Sequence, residues 1–237
     1  MLSGIMQLAP HAEYETSSTQ ESTLGALAVA TDGRKFRYGK AGAVALAAGK
    51  LCQGPALVAN HQNIAVAAAA AVGAVEVTVT LGATAATANQ YAGGLLVVND
   101  ADTEGLVYEI DSHPAADASG SLTLTLKSPV REALTTSSEV SLAQNVYNGV
   151  LVNPTTPTGA VVGVPISDIA AGEYGFFCVN GVVGCLNDGG WTAGSAVSPS
   201  NAVAGAVEDG VIAQGFVGRA LQAGTDTEYN LVDLNIA

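Results

Sequence analysis

Residues 75–110 read VEVTVTLGATAATANQYAGGLLVVNDADTEGLVYEI, and their alternation decides the fold class. Val75, Val77, Val79 and Leu81 fall on one side of a period of two, with Glu76, Thr78 and Thr80 on the other. Successive side chains of a strand point to opposite faces, so this is a strand with one buried face. Residues 95–98 and 106–110 are further β-rich runs, set off by Gly93-Gly94, Asn99-Asp100 and Gly105. Leu122, Leu124 and Leu126 then alternate with Thr123, Thr125 and Lys127. The stretch forms a compact β unit with no segment built for chemistry, so function is expected to reside in surfaces and assembly.

The rest of the composition agrees. The 237 residues include 28 Gly, and only 12% are charged, against about 25% in an ordinary soluble domain. The apolar share of 49% comes mainly from small residues, with 5% aromatic. Such a chain makes short strands, tight turns and a neutral, threonine-rich surface. Its net charge is −13, which excludes nucleic acid as a direct partner, because phosphate binding needs a positive field. Five of the eight basic residues, Arg34, Lys35, Arg37, Lys40 and Lys50, nevertheless share one segment. They either keep an edge strand soluble or meet an acidic neighbouring protein.

Cys52, Cys178 and Cys185 are widely spaced and form neither a disulfide framework nor a CxxC knuckle. A Cys178–Cys185 bridge across a hairpin is geometrically conceivable, but all three are expected to be small buried hydrophobes in a reducing compartment. The first residues, MLSGIMQLAPHAEYE, have no basic region followed by an apolar core, so export by a signal peptide is not expected. The apolar run 64–75 is too short to span a bilayer, and no membrane partner is expected.

In chain order, residues 1–22 read as an arm, either disordered or laid across a neighbouring subunit. Residues 23–60 form a β segment, 61–150 a middle β domain, 151–159 a Pro/Thr linker and 160–237 a C-terminal β domain. The alanine run 67–71 is too short for a stable helix and is assigned extended or irregular structure. Residues 132–138 are expected to hold a helical turn. Past residue 160, short strands between glycines, including 174–179 and 182–186, suit a small barrel or sandwich. Phe36-x-Tyr38 followed by Ala48-Gly49 echoes Phe177-x-Val179 followed by Ala193-Gly194. The echo is either chance or a sign that 24–60 completes the C-terminal fold, with 61–150 inserted between them. The expected fold class is all-β: small β-barrel or β-sandwich modules with an extended N-terminal arm.

Chemistry is hard to find. His11, His61 and His113 lie at no metal-ligand spacing, and no nucleophile-elbow or phosphate-loop motif occurs. The one metal-like string is Asp100, Asp102 and Glu104, with Asp111 at the twelfth position, which imitates a calcium loop but lacks flanking helices. An acidic β-turn is the expected reading. No cofactor and no enzymatic activity are expected. Trp191, after Asp188-Gly189-Gly190, is the aromatic residue expected to be exposed and to serve as a contact.

Three segments resemble structural proteins of tailed-phage heads. They are Asp32-Gly33-Arg34-Lys35-Phe36-Arg37-Tyr38 with Ala48-Gly49-Lys50-Leu51, then 77–82 running on to Asn89-Gln90-Tyr91-Ala92-Gly93-Gly94, and His113-Pro114-Ala115. The closing stretch, from Gly205-Ala206-Val207 through 216–221 to the last strand, is similar to the end of capsid decoration (cement) proteins. That resemblance implies small β domains on the outer surface of the virion. They are commonly homotrimers, and they bridge neighbouring major capsid subunits. Members are often shorter, so residues 61–150 would be an additional domain. The same modules occur in tail and baseplate proteins, which is the alternative reading. A non-viral surface β-domain binding module is the second.

Overall fold

The computed structural model describes residues 5–100, 103–210 and 215–236. The protein is all-β and divides into two compact units, one formed by residues 1–55 and 146–237 and the other by 56–145. The inserted segment thus begins at 56 and ends at 145, rather than at 61 and 150.

The inserted unit contains β5 (Ile64–Ala65), β6 (Glu76–Thr80), β7 (Leu95–Asp100), β8 (Val107–Ser112), β9 (Ser121–Leu126) and β10 (Glu139–Ala143). They hydrogen-bond in the order β5-β10-β7-β8-β9-β6, with neighbours antiparallel. The bridge Val66–Val79 joins the two ends of that order, so the sheet closes on itself. One core fills it. Val77 and Val79, Leu96 and Val98, Tyr108 and Ile110, Leu122 and Leu124, and Val140 and Leu142 all point inward. Within residues 75–81 the pattern places Val77, Val79 and Leu81 inside, and Thr78 on the other face pairs with Thr123 through their hydroxyls at 2.9 Å, whereas Val75 precedes the strand and is exposed. Residues 132–138 hold no helical turn. Leu134 instead pairs with Ala70 across the barrel, because its buried side chain belongs to the core.

The other unit contains β1 (Met6–Gln7), β2 (Leu27–Val29), β3 (Lys35–Ala41) and β4 (Cys52–Gln53) from the first part of the chain. After the insertion come β11 (Asn148–Val152), β12 (Val161–Pro165), β13 (Tyr174–Leu186), β14 (Ala196–Pro199), β15 (Val207–Asp209), β16 (Gly218–Ala220) and β17 (Tyr229–Asn235). Strands β3, β11, β4, β12 and β13 form a closed ring, since β3 pairs with both β11 and β13. Each contributes to the interior: Ala41, Val150, Cys52, Val162 and Phe177, joined by Leu46 and Ile169. The expected strands 174–179 and 182–186 are one strand of 13 residues, and its second half leaves this ring at Asn180 to pair with β17. Strands β17, β16, β14 and β15 continue, and the parallel bridge Asn187–Val207 returns the last of them to the end of β13. Two small rings therefore share β13. The second core holds Val183, Cys185, Val197, Val207, Val232 and Leu234.

One local device recurs in both units. Leu46 and Ile169, Ala70 and Leu134, Ala86 and Ala116, and Trp191 and Gly224 form antiparallel bridges outside the strands. After each bridging residue comes a β-turn closed from the fourth residue on, as in Lys50 N–H to Ala47 O, Glu173 N–H to Ala170 O and Ser195 N–H to Thr192 O. The third residue after the bridge has positive φ at Gly49, Gly73, Asn89, Ser119, Gly172, Gly194 and Thr227. A turn of this kind needs φ > 0 at its third position, which favours glycine or asparagine there. These turn residues donate across to the partner segment, as Gly49 does to Pro165 O at 2.8 Å and Gly172 to Gly42 O at 2.9 Å. The Ala48-Gly49 and Ala193-Gly194 echo in the sequence is two instances of this device.

The N-terminal arm needs correction. Residues 5–22 pack on their own unit: β1 pairs parallel with β2, Leu8 is buried, and Ser17 bridges to Tyr174. The reason lies in buried contacts that the polar run 17–23 conceals, among them the pair between Glu13 and Arg34 at 3.4 Å. The linker is corrected too. Leu151 and Val152 belong to β11, and Thr158 donates its N–H to Gln53 Oε1 at 3.1 Å while its hydroxyl accepts from Gln53 Nε2 at 2.7 Å. Gln53 is fully buried, so the Pro/Thr stretch satisfies its amide and packs within one unit.

Candidate interaction surface

The basic segment does not make one free patch. Strand β3 is paired to β2, β11 and β13, so it is not an edge strand, and its charges do not guard an edge. Arg34 bonds Asp32 at 2.6 Å and Glu13 at 3.4 Å and lies over the Phe36 ring, 5.3 Å from its centroid. Arg37 donates from Nη1 to Gly25 O at 2.8 Å. Lys40 sits 5.3 Å from the centroid of Tyr174. Lys50 is half-buried beside Gly205, and Lys35 is the exposed member of the group. Alternation along β3 sends Phe36, Tyr38 and Lys40 to one face and Lys35 and Arg37 to the other, which is why five neighbours in sequence separate in space.

Trp191 is buried rather than exposed, and its Nε1–H donates to Gln222 O at 3.0 Å. It occupies a bridge position, and the glycines before it are the turn that tucks the ring into the second core. The calcium-like string is spread along the β7–β8 hairpin. Asp100 ends β7, Glu104 is in the turn, Asp111 lies on β8 beyond the Leu95–Glu109 pair, and Asp102 is outside the described residues. A hairpin holds Asp100 and Asp111 at opposite ends of the ladder, and no group of metal-ligating residues occurs among the described residues.

Cys52, Cys178 and Cys185 are free and buried. Burial pushes the Cys52 and Cys178 thiols up to about 12 and raises that of Cys185 as well, so none offers a thiolate nucleophile at neutral pH. Cys178 and Cys185 lie on the single strand β13, not across a hairpin. His61 and His113 are buried in the inserted unit around Tyr91 and engage backbone carbonyls.

What the sequence does not announce is an apolar face on β13 and β17. Along β17 the buried residues are Asn230, Val232 and Leu234, while Tyr229, Leu231 and Asp233 face solvent. Apolar residues therefore occupy both faces of β17, Tyr229 and Leu231 outside and Val232 and Leu234 inside. The register Leu231–Gly184 and Val182–Asp233 sets Leu231 close to Val182, and Leu221 N–H donates to Leu231 O at 3.0 Å. Val182, Leu221, Tyr229 and Leu231 are 41–53% exposed, large and contiguous. They adjoin a shallow groove of about 490 Å³ walled by Tyr14, Arg34 and Ile166 as well as by Val182, Tyr229 and Leu231. Gly49 and Gly184 also line it, and a Cβ at Gly49 would stand 2.6 Å from the Tyr229 ring, so glycine there is what lets that ring pack against the chain.

Compared with protein families, with curated proteins and with solved structures, the chain finds no match in any of the three.

Proposed function

We propose that the chain is a capsid decoration protein of a tailed phage, bound to the outer surface of the assembled shell and bridging neighbouring major capsid subunits. The observation that carries this reading is the apolar face of Val182, Leu221, Tyr229 and Leu231 on a closed ring of strands. The strands of the ring have neighbours on both sides, so a partner meets them through a face, and this face is apolar. The resemblance of 32–51, 77–94 and 205–221 to phage head proteins supplies the partner class. Repetition over a lattice multiplies a modest contact through effective concentration, and binding the assembled state preferentially stabilises that state. The acidic net charge of −13 keeps the protein off packaged nucleic acid.

The test is binding of the purified full chain to empty shells, followed by cryo-electron microscopy and a copy count in virions. Leu231→Asp together with Val182→Ser should leave the circular dichroism spectrum unchanged and lower shell occupancy at least about tenfold. Unchanged occupancy overturns the assignment of the face. Density at the tail alone overturns the capsid reading in favour of a tail or baseplate protein.

A further inference from the structure

The inserted unit holds two buried histidines on either side of one tyrosine. His113 Nδ1 lies 2.8 Å from Pro114 O, a pure acceptor, so that nitrogen carries the ring proton and donates. Nε2 is thereby the acceptor, and it receives the Tyr91 N–H at 2.9 Å. The same segments are tied again by His113 N–H to Asn89 Oδ1 at 3.0 Å and by Asn89 N–H to His113 O at 3.0 Å. On the other side, His61 Nε2 meets Thr84 O at 2.8 Å, and its Nδ1 accepts the Tyr91 hydroxyl. Every ring nitrogen is thus spoken for in one tautomer.

We propose that His113 is an acid-operated latch: neutral, it fastens the 83–94 loop to the segment following β8, and protonation at Nε2 releases both. The added N–H would face the Tyr91 N–H, two donors with no acceptor between them, so that bond must be given up. The groups around the ring are the Tyr91 ring, 5.7 Å away between centroids, the Pro114 carbonyl and, beyond Tyr91, His61. No carboxylate contacts the ring among the described residues, and the acids nearest in sequence, Asp111 and Asp117, are exposed. Tyr91, pushed up to about 12 by burial, does not ionise to compensate. Burial holds His113 below its ordinary value of 6.5. A histidine depressed on folding contributes stability that is complete above pH 6.5 and lost as pH falls below it.

Hydrogen exchange of the full chain at pH 7.5 and 5.0, corrected for intrinsic rates, tests the latch. Peptides covering 83–94 and 113–120 should exchange about tenfold faster at the lower pH, and those covering β12 and β17 should not. His113→Gln should abolish the difference, since its amide both accepts from Tyr91 and donates to Pro114 without titrating. Nitrogen NMR of the unmodified chain keeps the idea testable if that variant fails to fold. A His113 that is neutral and protonated at Nδ1 at pH 6 supports the latch. Titration at or above 6.5, a uniform rise in exchange, or a pH response that survives His113→Gln overturns it.

Discussion

The two units solve barrel closure differently. The inserted unit is one continuous segment whose strands surround one core. Two of its ladders, β7–β8 and β8–β9, join strands adjacent in sequence. The other unit is assembled from both ends of the chain, with two cores and a 13-residue strand serving two rings. Its central ladder pairs residues 35–40 with 174–180. Loop closure across that span costs entropy before any contact repays it. A self-contained segment can be inserted without disturbing its host, whereas the host depends on pairing that spans the insertion. The recurring bridge-and-turn device is common to both, so the difference lies in connectivity and not in local geometry.

The largest expected effect probes that independence. Phe177→Ala empties the five-strand ring and should destabilise its unit by about 3–5 kcal/mol, while Leu124→Ala should cost the inserted unit about 2–5 kcal/mol. Two denaturation transitions, each shifted by one variant alone, would sharpen the comparison. A common shift under either variant would break it. Next in size is Tyr91→Phe, which leaves His61 Nδ1 without its donor in a fully buried site. It should cost about 1–3 kcal/mol, confined to the inserted unit's transition. The smallest is Lys127→Ala, which removes an ion pair to Glu109 between side chains 39% and 46% exposed. Its effect on the same transition should stay below about 0.5 kcal/mol. A larger loss would mean that surface charge contributes to barrel closure in a way the geometry does not show.

Local periodicity was readable where the dry face of a strand is apolar and its wet face polar. Val77 and Val79 against Thr78 and Thr80, and Leu122 and Leu124 against Thr123 and Thr125, reveal both the strand and its inward side. In β17 the same rule misled, because Tyr229 and Leu231 are apolar on the outer face and Asn230 is polar on the inner one. Asn230 is tolerated inside because its Oδ1 accepts from Asn187 Nδ2 at 3.3 Å and Thr225 N–H at 3.2 Å, partners distant from it or hidden in a turn. The surface that carries the proposed function was illegible for that reason. Trp191 was misjudged because turn glycines signal a bend and not which way the next ring falls.

By itself the sequence determined that the chain is β-rich, acidic, poor in catalytic groupings and punctuated by turns, because these follow from residue identity and spacing. Only the tertiary structure decided that the sheets close, that residues 5–22 and 153–159 belong to their own unit, and that five neighbouring basic residues part company. Closure of the inserted unit and of the second ring rests on single bridges, Val66–Val79 and Asn187–Val207, in which Val66 and Asn187 lie outside any periodic run. The pairing partner of a strand is chosen by the whole packed core, and no local pattern encodes it.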